Sequence, residues 1–437
     1  RFFYVLLLVV LMFLQFEARP LLAAAGSAFV IRVFGLVSTF AFASITSFLL
    51  PSPDFGQLAT LLSLVLFASA IGEFGQRDLA ARDISKHLAQ NNKTLAQGSI
   101  VQTLSLSVLA GTIAGVIMAL FFGSLGTNPV VAISAGLITA VLSVNSTLSG
   151  IGRAQRSSFW ALAPREIMWR GIALLILIVV FGFGGSADFR TTTIALLVSL
   201  LICVCFQSLR IIPFKSFSSF SLPILRKRFP STYLKASLNL VLVNVAGLIL
   251  VSLDVAMVGV LLGSDAAAQY FPANRVAILV IFFQVSLNLA IAPQLSREFA
   301  QNRSDRALDL CKNATRLAFL FGALMLVLIV FSQPILPFVF GTATTTTWLV
   351  AVILAIGHLG AIATGFGGTA LVAAGHEKAV RDLMLWSIPL SLAALIGAAV
   401  FGNVITVAIV VALASFVRGL FVARTCGTLL GGRAAIV

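Results

Sequence analysis

The sequence predicts an all-α polytopic membrane protein of about 12 transmembrane helices in two six-helix lobes. Three observations predict it. Hydrophobic residues make up 59% of the 437 and charged residues only 10%, whereas a soluble domain carries about 25% charged residues. Such a chain cannot cover itself with polar surface, so its solvent is lipid. The apolar residues fall in runs of about 20, the length that crosses a bilayer as a helix. Lipid gives exposed backbone no partner, so runs this apolar are helices; they are too long for barrel strands and lack their alternation. Finally, the loops alternate between rich in Lys and Arg and almost empty of them.

The first six spans run roughly over Leu21–Leu50, Phe55–Gly75, Ser99–Gly123, Pro129–Ile151, Ile167–Gly184 and Thr191–Leu209. The second six run over Ser237–Leu262, Val276–Ala292, Leu317–Phe340, Trp348–Ala374, Met384–Phe401 and Val404–Val422. Every even span is followed by a basic stretch: Arg77, Arg82, Lys86 and Lys93 after the second, Arg153, Arg156 and Arg165 after the fourth. Arg210 to Lys235 follow the sixth, Arg297 to Arg316 the eighth, Lys378 and Arg381 the tenth, and Arg418, Arg424 and Arg433 the last. The intervening loops hold only Arg190, Arg275 being counted with the span that opens at Val276. Short loops rich in Lys and Arg stay in the cytoplasm. The expectation is a multi-pass protein of the cytoplasmic (inner) membrane with its basic loops and C-terminus in the cytoplasm. A missed or invented span would break the alternation, so it also checks the count.

The same bias explains the net charge of +15. In a soluble protein that charge would suggest nucleic acid; here no nucleic-acid partner is expected, and the basic loops are expected to meet anionic membrane lipids. Residues 1–20 form an uncertain apolar segment, short for a full span. A signal-like segment, part of an extra helix and an interfacial helix all stay open. The chain opens on Arg1 rather than Met, which leaves its N-terminus open to being incomplete. The cysteines, Cys203, Cys205, Cys311 and Cys426, form no framework and read as small packing residues.

The Arg-poor connections, such as Pro51–Asp54 and Gly402–Asn403, leave no room for a soluble domain. The longest connection, residues 211–236, is basic and holds Pro213, Pro223 and Pro230. It divides a lobe over 21–210 from one over 237–437. The halves echo each other. Phe55 and Tyr270 each follow the first span of a half and lie 215 apart, as do Arg82-Asp83 and Arg297-Glu298. Gly152-Arg153 and Gly375-His376 lie 223 apart. An even number of spans per half starts both on the same side, giving a parallel repeat about an axis along the membrane normal.

Charges within spans are few, and each normally faces a partner or a watery cavity. They are Arg32, Arg170, Asp254 and Arg275, with Glu73 near an end. Asp254 reads as a proton or cation site, a switch that pairs with an Arg, or a structural ion pair with Arg275 or Arg32; these stay open. Arg32 and Arg275 suit a cavity that meets phosphate, which guanidinium matches with paired donors. Arg170, near the basic end of span five, is expected to snorkel to the interface. His358 is either a proton relay or a packed, hydrogen-bonded histidine. Asn145, Asn239, Asn244, Gln284 and Asn288 face the cavity or bond across helices. The run Gly365-Phe366-Gly367-Gly368 lies inside a span without βα context and is no dinucleotide site. No P-loop, metal-ligand spacing or nucleophile elbow occurs, so neither a cofactor, a metal nor an enzyme is expected.

Several short stretches together resemble one family. In the first half they are Gly26 to Gly35, Pro53-Asp54-Phe55-Gly56, and Glu73-Phe74-Gly75 with Arg77. In the second they are Asp254, Val258-Gly259, Gln269-Tyr270 with Ala273, Pro293-Gln294-Leu295-Ser296-Arg297, and Leu371 to Lys378. This set resembles the multidrug/oligosaccharidyl-lipid/polysaccharide exporter superfamily, and within it the polysaccharide transporter or oligosaccharide flippase branch. Two departures stand out: Thr46 to Leu50 replaces the usual end of the first helix, and Gln269 stands where a Gly is expected. The resemblance implies two lobes about a central cavity and alternating access. It implies a flippase for polyprenyl-diphosphate-linked oligosaccharide, serving O-antigen, capsule or exopolysaccharide synthesis beside a polysaccharide polymerase and a chain-length regulator. Carried over by motif, Asp254 is the one functional candidate; the physical argument adds Arg32 and Arg275 to the substrate cavity, with Asp254 or His358 coupling an ion. The alternative is a cation-coupled multidrug or small-molecule antiporter of the same superfamily, which should carry acidic cavity residues in its N-terminal half.

Overall fold

The computed structural model describes residues 19–155, 157–185, 187–212 and 231–431. The segment 1–18, Arg156, Arg433 and most of the proposed linker (213–230, with its three prolines) lie outside the described residues. The described residues are helical. The first half comprises α1 (Arg19–Leu49), α2 (Ser52–Gly72), α3 (Gln76–Ala89), α4 (Lys93–Ser124), α5 (Pro129–Ala154), α6 (Ser158–Ala163), α7 (Trp169–Gly182) and α8 (Phe189–Ile211). The second comprises α9 (Ser231–Leu248), α10 (Asp254–Met257), α11 (Ser264–Ala300), α12 (Ser304–Val330), α13 (Leu336–Val339), α14 (Thr345–Ala363), α15 (Gly367–Ala373), α16 (Glu377–Phe401) and α17 (Val404–Leu430).

Among the described residues, ten helical stretches are long and apolar enough to cross a membrane. The two further spans of the sequence are present but interrupted. Span five is broken at its start by a π turn at Pro164–Met168, and span seven by two, at Ile249–Leu253 and Val258–Leu262. The first break has a visible cause. Proline has no N–H, so Pro164 cannot bond the Trp160 carbonyl one turn back, and Gln207 Nε2 donates to that carbonyl instead, at 2.9 Å. Single π turns inside helices collect at functional sites.

Helix ends at the Arg-poor face are capped by short polar side chains, which satisfy the first N–H groups of each helix. Asn128 accepts from Val130 N at 2.9 Å and Asp188 from Thr191 N at 2.7 Å. Asn403 accepts from Ile405 N and Thr406 N, both at 3.0 Å. Such caps let loops of two to five residues turn the chain back, as the Gly402–Asn403 connection does.

The halves meet along α2 and α11. Gly56 lies against the Ser264 backbone and Gly259 against Thr60. Phe55 packs edge-on against Phe271, centroids 5.8 Å apart. Phe55 thus sits beside Phe271, the neighbour of Tyr270, its expected mate in the repeat. Further out, Ser44 Oγ donates to the Val339 carbonyl at 2.5 Å, Gly341 N donates to Ser47 Oγ at 3.0 Å, and Ser52 Oγ donates to Asp265 at 3.2 Å. This face is closed.

At the basic face the chain breaks between α2 and α3. Phe74 and Gly75 take left-handed angles, φ 50° and 68°. A Cβ on Gly75 would lie 2.8 Å from the Ser237 carbonyl oxygen, so glycine serves both the turn and the close approach of α9. Fully buried Gln76 clamps that approach: its Nε2 donates to Ser237 Oγ and to the Phe74 carbonyl, both at 2.8 Å, and its Oε1 accepts from Tyr233 at 2.7 Å. Ser237 Oγ also donates to the Phe74 carbonyl. The repeat mates of Glu73-Phe74-Gly75 are Asn288-Leu289-Ala290, where α11 runs unbroken.

Candidate functional site

Between these two closures lies a cavity of about 380 Å³. The first half contributes Ser69 on α2, Glu73 at the break, Arg77 on α3, Asn145 on α5, Arg165 and Glu166 on the π turn, and Trp169 and Arg170 on α7. The second half contributes Asn244 and Gly247 on α9 and Ser252 on the next π turn.

Each charged group has a structural reason to be there. The break after α2 leaves Glu73 almost wholly buried at the cavity edge, where Asn244 Nδ2 donates to it at 3.3 Å and Arg77 stands 3.7 Å away. Asp78 stands just beyond, 3.3 Å from both Arg77 and Arg153. Burial alone would raise the Asp78 carboxyl, but Arg77, with Arg153 and Asn244, more than offsets this and holds it below its ordinary value. The π turn at Pro164–Met168 sets Arg165 and Glu166 side by side in the lining. Its carbonyls find side-chain donors: Trp169 Nε1 bonds the Arg165 carbonyl at 2.8 Å and Arg170 Nη1 the Glu166 carbonyl at 2.9 Å. The Arg170 guanidinium also lies over the Trp169 ring, 4.4 Å from its centroid. Asn145 is fully buried, and neither atom of its amide has a protein partner. It presents both a donor and an acceptor to whatever fills the cavity.

None of the four residues singled out from the sequence lies in the lining of this cavity. Arg32 is half-buried on α1, with Glu166 its foremost electrostatic neighbour, followed by Arg165 and Arg77. One turn on, Gly35 brings α1 against Glu166: a Cβ there would lie 2.8 Å from the Glu166 Cβ. Asp254 is fully buried in the second half, its Oδ2 accepting from Tyr270 Oη and Asn274 Nδ2, both at 2.9 Å. Its Oδ1 and the Asn274 Oδ1 have no partner. Arg275 lies over the Phe271 ring at 4.6 Å, its Nε unpartnered, and it is an electrostatic neighbour of both Asp254 and Arg170. His358 is buried on α14, its Nε2 unpartnered and Arg418 its charged neighbour. Neither Arg32 nor Arg275 forms an ion pair with Asp254 within 4.0 Å among the described residues.

Two expectations are revised. Arg170 does not reach out of the membrane but lines the cavity. The first half also holds two carboxylates at the cavity, Glu73 and Glu166, besides Arg32. Glu166 and Arg77 went unremarked as cavity groups because both stand at the basic ends of spans, where charges are ordinary. The available signal was Pro164, which disrupts a helix beside two charges. Of the polar residues placed within spans, Asn145 and Asn244 line the cavity, whereas Asn288 is exposed and accepts from Thr369 at 2.5 Å.

The family model MatE matches residues 239–393, most of the second half. The whole chain is similar to an inward-facing multidrug resistance MATE family transporter of the MOP superfamily, with TM-score 0.64 and 14% identity over 97% of each chain. It has the MATE fold. A MOP superfamily transporter from Pyrococcus furiosus Vc1 (DSM3638), for which a reversed polarity of the binding pocket suggests a different function, matches with TM-score 0.64 and 14% identity over 93% of this chain and 95% of that one. A MATE in complex with MaL6 matches with TM-score 0.62 and 14% identity over 95% of this chain and 99% of that one. No curated protein sequence matches significantly. The MATE fold is built from two helical lobes, which agrees with the two halves described above.

Proposed function

We propose that this chain is a secondary transporter that moves an anionic solute by alternating access. One observation carries the reading: a charged cavity is lined from both halves, which touch at each face through a few contacts. Its lining holds Arg77, Arg165 and Arg170 against Glu73 and Glu166, and Arg32 and Arg275 stand behind it. Positive charge in excess, on the low-dielectric walls of a cleft, favours a negative cargo. Rocking one lobe against the other would expose the cavity to each face in turn.

For the kind of cargo, the small-molecule antiporter has the better support. The similar multidrug resistance transporter favours it, and Glu73 and Glu166 are acidic cavity groups in the N-terminal half, as that reading requires. The excess of arginine favours the second reading, a flippase for polyprenyl-diphosphate-linked oligosaccharide, because guanidinium pairs with diphosphate oxygens. In both, Asp254 is the proposed coupling group: a fully buried carboxylate with one oxygen unpartnered leaves room for a proton or a cation. His358, buried apart from the cavity, is the weaker coupling candidate.

The test is transport in proteoliposomes under an imposed proton or sodium gradient. Labelled organic anions, a cationic dye and a short-chain prenyl-diphosphate sugar would be compared in wild type and Asp254→Asn. Gradient-driven movement of an anionic cargo, lost in Asp254→Asn while the variant keeps its melting temperature, is expected. Movement of the cationic dye alone would overturn the anion reading, and full gradient-driven activity in Asp254→Asn would remove Asp254 from coupling.

A further inference from the structure

The Glu166 carboxylate has an unusual position. It stands among arginines from three directions: Arg32 on α1, Arg77 on α3, and Arg165 and Arg170 on either side of it in sequence. Glu166 is the foremost charge partner of Arg32 and of Arg170, and a further one of Arg77. Yet among the described residues the ion pairs within 4.0 Å all lie elsewhere, so no arginine holds it in a fixed pair. Gly35 leaves the space that its side chain occupies: the Glu166 Oε2 lies 3.5 Å from where a Gly35 Cβ would be. From the π turn it also lines the cavity.

A carboxylate shared by several guanidinium groups, and committed to none, is in the place an anionic ligand would take. We infer that Glu166 is a built-in substitute anion: it neutralises the cavity arginines while the cavity is empty, and the charged group of the cargo displaces it. This rests on the anionic-cargo reading above. It explains how a cluster of arginines survives in an apolar setting without cargo, since buried like charges need a counter-charge. It also gives the transporter a means of release, because the carboxylate competes for the same donors once cargo begins to leave.

The test uses purified full-length protein in detergent, with inorganic pyrophosphate and farnesyl diphosphate as separate probes, binding measured by calorimetry. Removing the competing charge in Glu166→Gln should tighten binding at least about ten-fold, which is about 1.4 kcal/mol, while Glu166→Asp, which keeps the charge, should stay near wild type. The probe bound more tightly by wild type tells a lipid-linked diphosphate from a free anion. A second readout needs no variant: carbodiimide labelling of Glu166, followed by mass spectrometry, should rise when probe is bound, because the displaced carboxylate is freed. Equal or weaker binding by a folded Glu166→Gln, or labelling that falls or stays level with probe, overturns the inference and leaves the anionic-cargo reading standing. Absence of binding by wild type and both variants, with cationic dye transported, overturns both.

Discussion

A single methyl group at Gly56 tests whether the closure of the Arg-poor face belongs to a working cycle. A Cβ there would fall on the Ser264 carbonyl and lie 3.0 Å from the Ser264 Cα. The obstacle is backbone, so no rotamer relieves it. The Ser264 carbonyl carbon would lie 2.5 Å away, so restoring an ordinary carbon–carbon separation of about 3.5–4.0 Å requires α2 and α11 to part by about 1–1.5 Å. Overpacking of this kind costs about 1–3 kcal/mol. The strain exists only while the lobes touch, so it falls on the closed state and shifts the open-to-closed ratio about 5–150-fold. Ser47 reports on the opening: it is only 3% exposed, and its Oγ is held by Gly341 N across the lobes. With exposed Cys205 replaced by Ser, a water-soluble maleimide should label Ser47→Cys faster by that factor when Gly56→Ala is added. Gly397→Ala, where a Cβ meets nothing within 4 Å, is the control. Unchanged labelling in a folded Gly56→Ala, or an equal rise in Gly397→Ala, would refute the reasoning.

At the basic face, Gln76→Leu keeps the volume but strips Tyr233 of its acceptor and Ser237 of a donor; a loss of about 1–3 kcal/mol is expected, read as a lower melting temperature and faster amide exchange at the start of α9. Equal exchange in both proteins would mean that this clasp is not held in the membrane. The Asp78 carboxyl lies below its ordinary value of 3.8 in the folded protein, so its stabilising contribution is complete above that value and drains as pH falls through the lower folded value. Stability measured from pH 6 downward should therefore fall less steeply in Asp78→Asn, most clearly below about pH 4; identical slopes would remove Asp78 from the acid response.

The fold was legible because its signals are additive over long stretches. Twenty apolar residues outweigh any local irregularity, and a Lys/Arg bias repeated at six loops survives errors at one. What the sequence concealed is where a helix departs from its ideal ladder. Span seven reads as one continuous apolar run from Ser237 to Leu262, but the structure places two π turns in it, on either side of Asp254. Nothing from Ile249 to Gly263 except Gly259 and Gly263 announces them, because a π turn changes one hydrogen-bond register and leaves composition untouched. The cavity was hidden for a related reason. Depth along the helix was the guide to function, so Arg32, Asp254 and Arg275 drew attention, whereas Glu73, Arg77, Arg165 and Glu166 sit near span ends. The break at Phe74-Gly75 and the π turn at Pro164 fold those ends inward, converting interfacial charges into lining ones.

The asymmetry of these breaks bears on how the lobes divide their work. The halves repeat in span count and charge, yet the breaks do not repeat: α2 stops at Gly72 where its mate α11 runs on, and α1 is continuous where its mate, span seven, carries two π turns. Two identical lobes would offer the cavity the same wall twice. Here every charged lining residue (Glu73, Arg77, Arg165, Glu166 and Arg170) comes from the first half, while the second supplies Val243, Asn244, Gly247, Leu248 and Ser252. A charged wall thus faces a neutral one. Moving an arginine away from a bound anion would cost Coulomb energy that grows as the local dielectric falls. Sliding a wall of amide, hydroxyl and methyl groups past the same anion costs far less. Under the proposed function, the first lobe therefore keeps the cargo's charge throughout the cycle. The second, joined to it at the basic face through Gln76 and at the other through Gly56, is the part whose movement decides which side the cargo sees.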